Sequence, residues 1–588
     1  MLEIRINNEV LDLAEDAELQ MEMPNPFLQF QDVGIDGSYS FPFQVKYTEK
    51  NMRLLQYSNI FQKQVSIAGI NASVFESGLF IFAGKIKVER VNININNHQA
   101  TFLDCYFVSD AADFYQDAKD VRMRDIDAGG TRSFLGTDAS PWYNSQFGVH
   151  VESVAKGIGG PYDYAFFPVK NSSWGLDPGV LGNDGDVMNK VYQTASGMRI
   201  GPILVPFPYL KYILVQAVEH VGWTIEGSIL DDVDFNRIVL INFRAIDWAN
   251  FRETGGITYE LDPMATVTFD LKNHLPNIGI GEFLIALKNR FGWWYDFDSN
   301  SKIITINKLA DVPNGIPKDI KNWCNPLVPK PVLQENAVYA LRNNFITNGG
   351  DGIDISKLDY RGAVDGVADL PAAAQSLNEQ VYLVEEENNY YACLQNPNDE
   401  AVWEWQIISY NIYDYAPAGV NKDITTTATT VGVAKYDDYM DMIPVCEGIG
   451  IWKDFTAEDS WGVHLCFNLG WIVRKLGPSG GFAYKYPQAT HHLYDTLGNQ
   501  LTQWSLAFKG QKTDGTQVGF YDLNWKSFLD MLTSSESADL LLYPTRVQYL
   551  QLQWQDILMI DGVRFFIEKR KASFPWKNKL EATANRLS

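Results

Sequence analysis

Histidine binds metals and moves protons near neutral pH more often than any other side chain, and the chain has seven histidines. Only His491 and His492 are adjacent in sequence. Neighbouring side chains on a strand point to opposite faces, and no HExxH spacing places two imidazoles on one helical face. The sequence therefore predicts a surface pair at this position, and we assign no metal ligand.

Acidic and glycine-rich turns are the next candidates for a binding site. Residues 351–354 (DGID) and 184–186 (DGD) resemble fragments of calcium-binding loops. Neither has the alternating ligands and the distal glutamate of an EF-hand, so both are predicted to be tight turns. Residues 157–160 (GIGG) lack the spacing of a dinucleotide-binding loop, and no GxxxxGK[ST] motif occurs. We assign no cofactor.

No nucleophile is assigned either. The one GxSxG match, residues 477–481 (GPSGG), lies in a predicted loop and lacks the strand-to-helix turn that such a nucleophile needs. The five cysteines are scattered without a CxxC pair, which predicts neither a disulfide framework nor a zinc site and favours a reducing compartment. Among 72 Asp and Glu, a glycosidase pair stays open, because such carboxylates meet only in the folded chain. We assign no catalytic residue and predict no enzymatic activity, with a cell-wall or polysaccharide hydrolase as the residual alternative.

One aromatic set could recognise a sugar. Tyr390, Tyr391, Trp403 and Trp405 lie close together in sequence, and exposed aromatic faces can stack on a glycan. The alternative is that they form the only core that a small β insert can build. We favour the core and keep glycan stacking as the second interpretation.

Charge and hydropathy limit the partners. A formal net charge of −24 repels the DNA backbone and anionic membranes. The N-terminus has no basic region followed by an apolar run, and no uninterrupted apolar segment is long enough to cross a bilayer. We expect a soluble chain without a signal peptide and without stable membrane insertion.

The clearest structural element lies at residues 281–306. Phe283, Leu287 and Phe291 recur every four residues, which predicts one face of a helix. Gly292 follows, where helices commonly end in a left-handed residue. An aromatic, strand-prone segment, a turn and a second alternating segment come next. The predicted unit is a helix, a glycine stop and a two-stranded hairpin.

The same pattern occurs about seventy residues earlier, where residues 213–221 form a mainly apolar predicted helix and Gly222 and Trp223 follow. Two explanations remain open. The pattern reflects an internal duplication, or it reflects two ordinary amphipathic helices that both end at glycine. If the duplication is real, residues 206–230 and 276–307 should superpose as helix-then-hairpin units.

The chain is predicted to be mainly β with α+β modules, because aromatics make up 13% of it and Tyr, Phe, Val and Ile favour strands. We expect a multidomain protein of small β-barrel or sandwich domains plus helix–hairpin units. The predicted parts are an N-terminal β domain (1–118), an irregular insertion facing solvent or a neighbouring subunit (119–200), an α+β domain with both helix–Gly-Trp units (201–312), a β region with a small aromatic insert at 360–406 (313–425), and a C-terminal β domain (426–588) that closes with a hairpin turning at Asp561-Gly562.

The two ends of the chain carry a family resemblance. Residues 38–43 (SYSFPF), followed by residues 51–53 (NMR), resemble the N-terminal domain of tail hub proteins of tailed bacteriophages. The versions from phages and prophages of Bacteroidetes hosts look most similar. Residues 525–529 (WKSFL) and 556–569 resemble the C-terminal segment of these proteins, in which a final hairpin completes a barrel.

The middle of the chain adds two weaker likenesses. Residues 206–223 and 280–306 are similar to the central part of the hub proteins. The pattern of Asp369-Leu370-Pro371 with Tyr382 and Trp405 looks like small β inserts of virion fibre and tail proteins. Together the patches cover about half of the chain.

The resemblance implies a structural role in the virion. Hubs of this kind form trimeric baseplate rings at the distal end of the tail tube, and two related β domains per subunit match the sixfold tube. The other face meets a spike or receptor-binding fibre, which links such hubs to host cell attachment. DNA and the tape-measure protein pass through the centre during genome ejection. The protein would be made in the host cytoplasm and would end in the virion tail.

Two other classes remain possible from the sequence. The helix–glycine–hairpin unit also resembles the small βαββ modules of secretins and outer-membrane transporters, although the expected absence of a signal peptide argues against that class. A virion-associated or secreted glycan-binding or glycan-degrading protein is the other alternative.

Overall fold

The computed structural model describes a large part of the chain, and every structural statement below concerns those residues. Within them the protein is mainly β, with several sheets and few helices, as the sequence predicts. The described residues are 2–28, 38–56, 69–94, 99–109, 111–135, 163–171, 187–189, 191–194, 197–200, 204–246, 249–254, 258–263, 266–299, 301–324, 339–343, 359–378, 380–384, 389–396, 399–408, 422–431, 433–435, 442–446, 461–475, 483–491, 493, 500–506, 512–533 and 535–587.

The α-helices are α1 (Glu49–Leu54), α2 (Ala111–Ala118), α3 (Leu210–His220), α4 (Ile280–Phe291), α5 (Phe520–Asn524), α6 (Lys526–Thr533) and α7 (Arg546–Leu550). The strands of the first half are β1 (Leu2–Ile6), β2 (Glu9–Val10), β3 (Leu19–Pro24), β4 (Ser38–Ser40), β5 (Phe43–Lys46), β6 (Ile70–Glu76), β7 (Leu79–Asn94), β8 (Gln99–Ser109), β9 (Thr131–Leu135), β10 (Tyr164–Ala165), β11 (Val169–Lys170), β12 (Val187–Met188), β13 (Val191–Thr194), β14 (Gly197–Ile200), β15 (Phe207–Pro208), β16 (Thr224–Glu226), β17 (Ile238–Leu240), β18 (Ala249–Thr254), β19 (Thr258–Pro263) and β20 (Thr266–Asp270). Those of the second half are β21 (Trp293–Asp298), β22 (Ile303–Lys308), β23 (Lys318–Asp319), β24 (Tyr339–Asn343), β25 (Asp359–Val364), β26 (Gln380–Val384), β27 (Asn389–Asn396), β28 (Asp399–Ile408), β29 (Lys422–Thr426), β30 (Ala428–Thr430), β31 (Val433–Lys435), β32 (Met442–Pro444), β33 (Val463–Lys475), β34 (Ala483–Thr490), β35 (Glu536–Leu542), β36 (Ile557–Ile560), β37 (Val563–Phe574) and β38 (Leu580–Leu587).

The largest sheet contains strands from both ends of the chain. Its order among the described strands is β2-β1-β6-β7-β8-β4-β3-β37-β36-β23, with β5 beside β8, and with β38 and then β35 beside β37. The two ends meet where β3 pairs antiparallel with β37, with Met21 opposite Ala572. The segments that the sequence divides between a first and a last domain therefore form one sheet, and they also share one hydrophobic core.

The predicted closing hairpin is present at the predicted turn. Ile560 pairs with Val563, which leaves two residues between β36 and β37. Asp561 and Gly562 have φ values of 49° and 82°, the left-handed conformation that suits a two-residue turn between right-twisted strands. The hairpin does not complete a barrel, because the edge strands of this sheet do not pair and no closed barrel forms among the described strands.

The second helix–glycine unit has the predicted structure. Helix α4 ends at Gly292, which has φ 57° and ψ 43°, and β21 and β22 then form an antiparallel hairpin. At the start of the helix, the side chain of Glu282 accepts a hydrogen bond of 3.0 Å from the backbone N–H of Gly279. This contact satisfies one of the donors that a helix N-terminus leaves unpaired.

The first unit differs, and the expected superposition is wrong. Helix α3 is followed by the left-handed Gly222 (φ 79°) and by the short strand β16, but a 3-10 turn at Ser228–Asp231 follows in place of a return strand. Strand β16 instead joins β22 in parallel, as a third strand beside the hairpin of the second unit. The first copy is thus a helix with one strand, and that strand is stabilised by pairing with the second unit.

The predicted solvent-facing insertion is also corrected where the structure describes it. Residues 163–169 lie in the core that surrounds α3 and α4. The rings of Phe167 and Phe207 stack with centroids 4.3 Å apart. Strands β10 and β11 have only two residues each, which is too short for a readable alternation. This explains why the sequence pattern suggested irregular structure.

The small insert forms a sheet of its own in the order β25-β26-β27-β28. Strands β25 and β26 run parallel, and β26, β27 and β28 are antiparallel. Farther along the chain, β29 pairs in parallel with β24 and β30 pairs in parallel with β33, and Thr426 and Thr430 are buried. Among the described residues, no helix is both long and apolar enough to cross a membrane.

The two glycine stops provide a matched test of packing around α4. A Cβ atom on Gly292 would lie 2.5 Å from the carbonyl oxygen of Asn524, whereas one on Gly222 would meet no heavy atom within 4 Å. Both substitutions place alanine at a positive φ, which costs about 1–2 kcal/mol. We expect Gly222→Ala to lower the free energy of unfolding by about that amount, and Gly292→Ala to lower it by about 3 kcal/mol or more because it also overpacks backbone.

Urea unfolding of the two variants beside the wild-type chain measures the difference. Equal losses for both glycines would show that the segment around Asn524 moves away without cost, and the close packing of α4 against α5 would then not matter for stability.

Candidate functional site

Of the residues considered for metal or cofactor chemistry, the structure describes only His491. The predicted surface position is wrong for His491, which is fully buried. Its ring nitrogen Nδ1 lies 2.8 Å from the carbonyl oxygen of Val431. His492 and residues 157–160, 184–186 and 351–354 lie outside the described residues, so what they form stays a prediction. Within the described part of the chain, no group of three His, Cys, Asp or Glu side chains could hold a metal ion.

Two of the buried thiols are not activated for nucleophilic chemistry. All five cysteines are free, and four of them are buried. Burial raises the pKa of the Cys105 thiol to about 12 and raises the pKa of Cys466 well above its usual value. These two thiols therefore stay protonated at neutral pH, whereas the nucleophilic form of cysteine is the thiolate.

Two buried histidines are neutral for the same reason. Burial lowers the pKa of His274 to about 3 and the pKa of His464 to about 4. Nδ1 of His274 lies 3.0 Å from the carbonyl oxygen of Arg244, and Nδ1 of His464 lies 3.1 Å from the hydroxyl of Thr429. Both rings are fixed in the core, where they connect loops and strands.

The aromatic residues of the insert are only partly brought together. In the register of β27 and β28, Tyr391, Trp403 and Trp405 share one phase, and Tyr390 is one position out of it. Trp405 donates a 2.6 Å hydrogen bond from Nε1 to the carbonyl oxygen of Pro371. Tyr391 is buried and Trp403 is half-buried. Trp405 and Tyr391 thus contribute to the packing of the insert, and glycan stacking stays a prediction.

The most unusual feature of the structure is the burial of α4 on every side of its last turn. Lys288, Asn289 and Arg290 are three consecutive polar residues that expose at most 1% of their surface. Consecutive helix residues point in different directions, about 100° apart. Three buried polar residues in a row therefore require a hydrogen-bond acceptor on each side of the helix.

Each of these three side chains contacts a different part of the chain. Nζ of Lys288 donates to the carbonyl oxygen of Pro26 at 3.1 Å. Nδ2 of Asn289 donates to the carbonyl oxygen of Thr425 at 2.9 Å.

The third side chain reaches the C-terminal region. Arg290 donates from Nη2 to the carbonyl oxygen of Leu506. Its guanidinium carbon also lies 4.0 Å from the ring centroid of Phe520. Helix α4 is therefore bonded to segments on both sides of it in sequence, 136 to 262 residues away.

A second junction joins the large sheet to the helix–hairpin unit. Asp117 on α2 accepts hydrogen bonds from Nζ of Lys85 at 3.1 Å, Nζ of Lys302 at 2.9 Å and Nε1 of Trp223 at 3.1 Å. Burial alone would raise the pKa of Asp117, but the hydrogen bonds from Lys302 and Trp223 and the charge of Lys85 lower it overall. The carboxylate thus holds β7, α2, β16 and β22 at fixed positions.

The outer face of the large sheet carries an exposed row of side chains. Cross-strand neighbours form one row over five strands, from Leu541 through Glu581, Lys571 and Glu22 to Tyr39. The carboxylate of Glu22 lies 3.1 Å from Nζ of Lys571 and accepts a 2.9 Å hydrogen bond from the hydroxyl of Tyr39. An open groove of 420 Å³ lies on this face beside Lys571 and Glu581.

Apolar side chains flank this charged row at both ends. Leu541 and Tyr543 are 45% and 41% exposed at one end, and Tyr39 and Phe41 are 41% and 42% exposed at the other. Single exposed apolar residues are ordinary on a protein surface, whereas several at the two ends of one sheet face indicate a contact surface. The arrangement can bind another surface and offers no reactive group.

Comparisons with known proteins give limited further information. No family model matches the chain, and no curated protein matches it in sequence. Eighteen chains of solved structures match it. One is the 43 kDa tail protein of prophage MuSo2 from Shewanella oneidensis, at 7% identity and a TM-score of 0.32, covering 100% of this chain and 96% of that one. Another is the tail protein from Neisseria meningitidis MC58, at 8% identity and a TM-score of 0.25, with the same coverage.

Both of these structural neighbours are thus tail proteins, and the first comes from a prophage. At such low identities and TM-scores, the likeness does not establish a shared fold and carries no argument about function.

The sequence did not predict the polar anchors of α4 or the Asp117 junction. Phe283, Leu287 and Phe291 indicated one buried face, and the helical pattern leaves residues 288–290 as its expected polar end. One signal was present: four of the five residues from Trp293 to Phe297 are aromatic, which indicates burial on more than one side after the helix.

Lys288 gives α4 a measurable pH dependence. Burial lowers its pKa from 10.5 to about 7, so the unfolded chain binds more protons than the folded chain between these two values. The free energy of unfolding therefore rises with pH across this window, by about 1.4 kcal/mol per pH unit. We expect wild-type protein to gain a few kcal/mol of stability relative to Lys288→Met between pH 7 and about pH 10.

Urea unfolding of both proteins over this pH range tests the expectation, because titration of other groups cancels in the difference. The solvent-exposed Lys577, replaced by methionine, is the control for loss of one positive charge. If the free energy of unfolding changes with pH in the same way for the wild type and Lys288→Met, the Lys288 amine is not buried beside Pro26.

Proposed function

We propose that this chain is a structural protein of a phage tail, and that it forms the hub ring that joins the tail tube to the distal spike or fibre. The observation that carries the proposal is the meeting of the two terminal segments in one sheet. These are the segments whose residues resemble the ends of tail hub proteins, in the version from phages of Bacteroidetes hosts.

The contact between these segments is direct. Strand β4, from the SYSFPF segment, pairs with β3, and β3 pairs with β37 of the closing hairpin. Residues 39 and 571 are thereby placed on either side of Glu22, although more than 500 residues separate them in sequence. The two segments that carry the resemblance thus fold into one unit. This is expected if both derive from one tail hub protein.

The proposed ring uses the exposed face of this sheet as a contact with a second copy of the chain. The central charges of this face are of both signs and are already paired, and apolar side chains lie at both ends of the row. The ring number of three follows from the resemblance alone. The internal duplication that would match a sixfold tube is not supported, because the first unit has no hairpin.

The remaining roles follow from the ring. The proposed partners are the tail tube or distal tail proteins, the tape-measure protein, and a spike or receptor-binding fibre. DNA would pass without specific binding, because the chain carries a formal net charge of −24. We propose no enzymatic activity.

Oligomer mass and virion content test the ring. We expect purified protein to run at about three times the 66.5 kDa chain mass in light scattering, and we expect the chain in purified virions by mass spectrometry. Leu541→Glu should weaken the trimer about tenfold or more, because it places a charge at the apolar rim. A stable monomer, or virions without this chain, would overturn the hub assignment.

Val233→Glu is the matched control for the surface variant. Val233 is 63% exposed and lies outside the large sheet, in the loop after β16. Equal weakening by both variants would show that the sheet face is not the contact.

A further inference from the structure

The insert at residues 360–406 carries a second surface that the proposed hub ring does not use. Strand β28 is ten residues long and, among the described strands, pairs on one side only, with β27. An edge strand offers a row of backbone N–H and C=O groups that can pair with another strand.

Natural edge strands are usually protected against such pairing by lysine, proline or a bulge in the middle of the strand. Residues 401–408 (AVWEWQII) contain neither lysine nor proline. The register between β27 and β28 is regular from Trp403 to Ile408, and its single irregularity lies near Asn396. The central part of β28 is therefore straight and rich in residues that favour strands.

The side chains of β28 differ between its two faces. Trp403 and Trp405 lie in one phase, with Trp405 fixed by its hydrogen bond to Pro371 and by an edge contact with Tyr382 at 5.4 Å. Glu404 lies in the other phase, where it accepts a 2.8 Å hydrogen bond from Nε2 of Gln406. A strand added beside β28 would meet aromatic side chains on one face and a carboxylate on the other.

The negative charge of the insert limits which residues the added strand can carry. The insert has nine Asp and Glu against a single Arg within residues 360–406, so an acidic partner segment would be repelled. Opposite charges and aromatic–apolar pairs across neighbouring strands each stabilise the pairing, and directly opposed like charges destabilise it.

We propose that β28 binds an extended segment of a partner chain as an additional strand, and that this segment alternates apolar with basic residues. Its apolar side chains pack beside Trp403 and Trp405, and its lysine or arginine side chains face Glu404. The bound segment gains backbone hydrogen bonds from the edge, and the alternation sets which of its faces lies against the aromatic residues.

Fluorescence anisotropy on the full chain tests this surface with three labelled peptides matched in length to residues 401–408. One alternates lysine and valine, one alternates glutamate and valine, and one has the lysines and valines in two blocks. We expect saturable binding of the first, weaker by about tenfold or more for the second because like charges then oppose Glu404, and weak binding of the third. No binding of the first peptide, or equal binding of all three, would overturn the proposal.

Matched charge reversals locate the site. Glu404→Lys should weaken binding of the lysine–valine peptide about tenfold. Asp365→Lys makes the same charge change in the same insert, but after β25 at the opposite edge of the sheet, and should have little effect. Equal weakening by both variants would show general attraction to an acidic surface and would overturn strand addition.

Hydrogen exchange on the wild-type chain gives a readout that needs no variant. Strand addition should slow exchange of every second backbone amide in residues 402–408 when the lysine–valine peptide is bound, because the N–H groups that point away from β27 gain partners. Unchanged exchange in this segment with peptide bound would overturn the proposal. These outcomes are independent of the hub ring, whose test is the oligomer mass.

Discussion

The structure depends on the complete burial of the last turn of α4. A buried polar group without a partner costs free energy, so Lys288, Asn289 and Arg290 require acceptors on three sides of the helix. Each acceptor is a backbone carbonyl, and backbone carbonyls are fixed only when the segments that carry them are fixed. The helix therefore forces residues near positions 26, 425 and 506 to assemble around it before its burial becomes favourable.

This requirement explains which parts of the fold could be predicted from sequence. The helix–glycine–hairpin at residues 280–308 and the turn at Asp561-Gly562 depend on neighbours in sequence, and both were predicted with their glycines in the correct role. The mainly β character was also predictable, because aromatic and β-branched residues report on local preference. Local patterns are reliable where the chain folds on itself over a short distance.

The remainder depends on pairings that no local pattern contains. The first helix–Gly-Trp segment has the signals of the second, yet β16 pairs with β22, some eighty residues ahead, and forms no hairpin. Strands β10 and β11 are too short to show alternation, so their burial was missed. The Asp117 junction was invisible for the same reason, because Lys85, Trp223 and Lys302 are brought to one carboxylate only by the fold.

The buried polar groups of the described structure mainly hold segments in position. The thiols of Cys105 and Cys466 and the rings of His274 and His464 are held in their neutral forms. The buried side chains of Lys288 and Arg290 and the junction carboxylate serve to position segments. Such groups often cost stability relative to apolar replacements, but they can restrict the chain to one arrangement. The proposed hub role needs this restriction, because the sheet face and the edge of β28 can act as contact surfaces only if the segments that form them keep fixed relative positions.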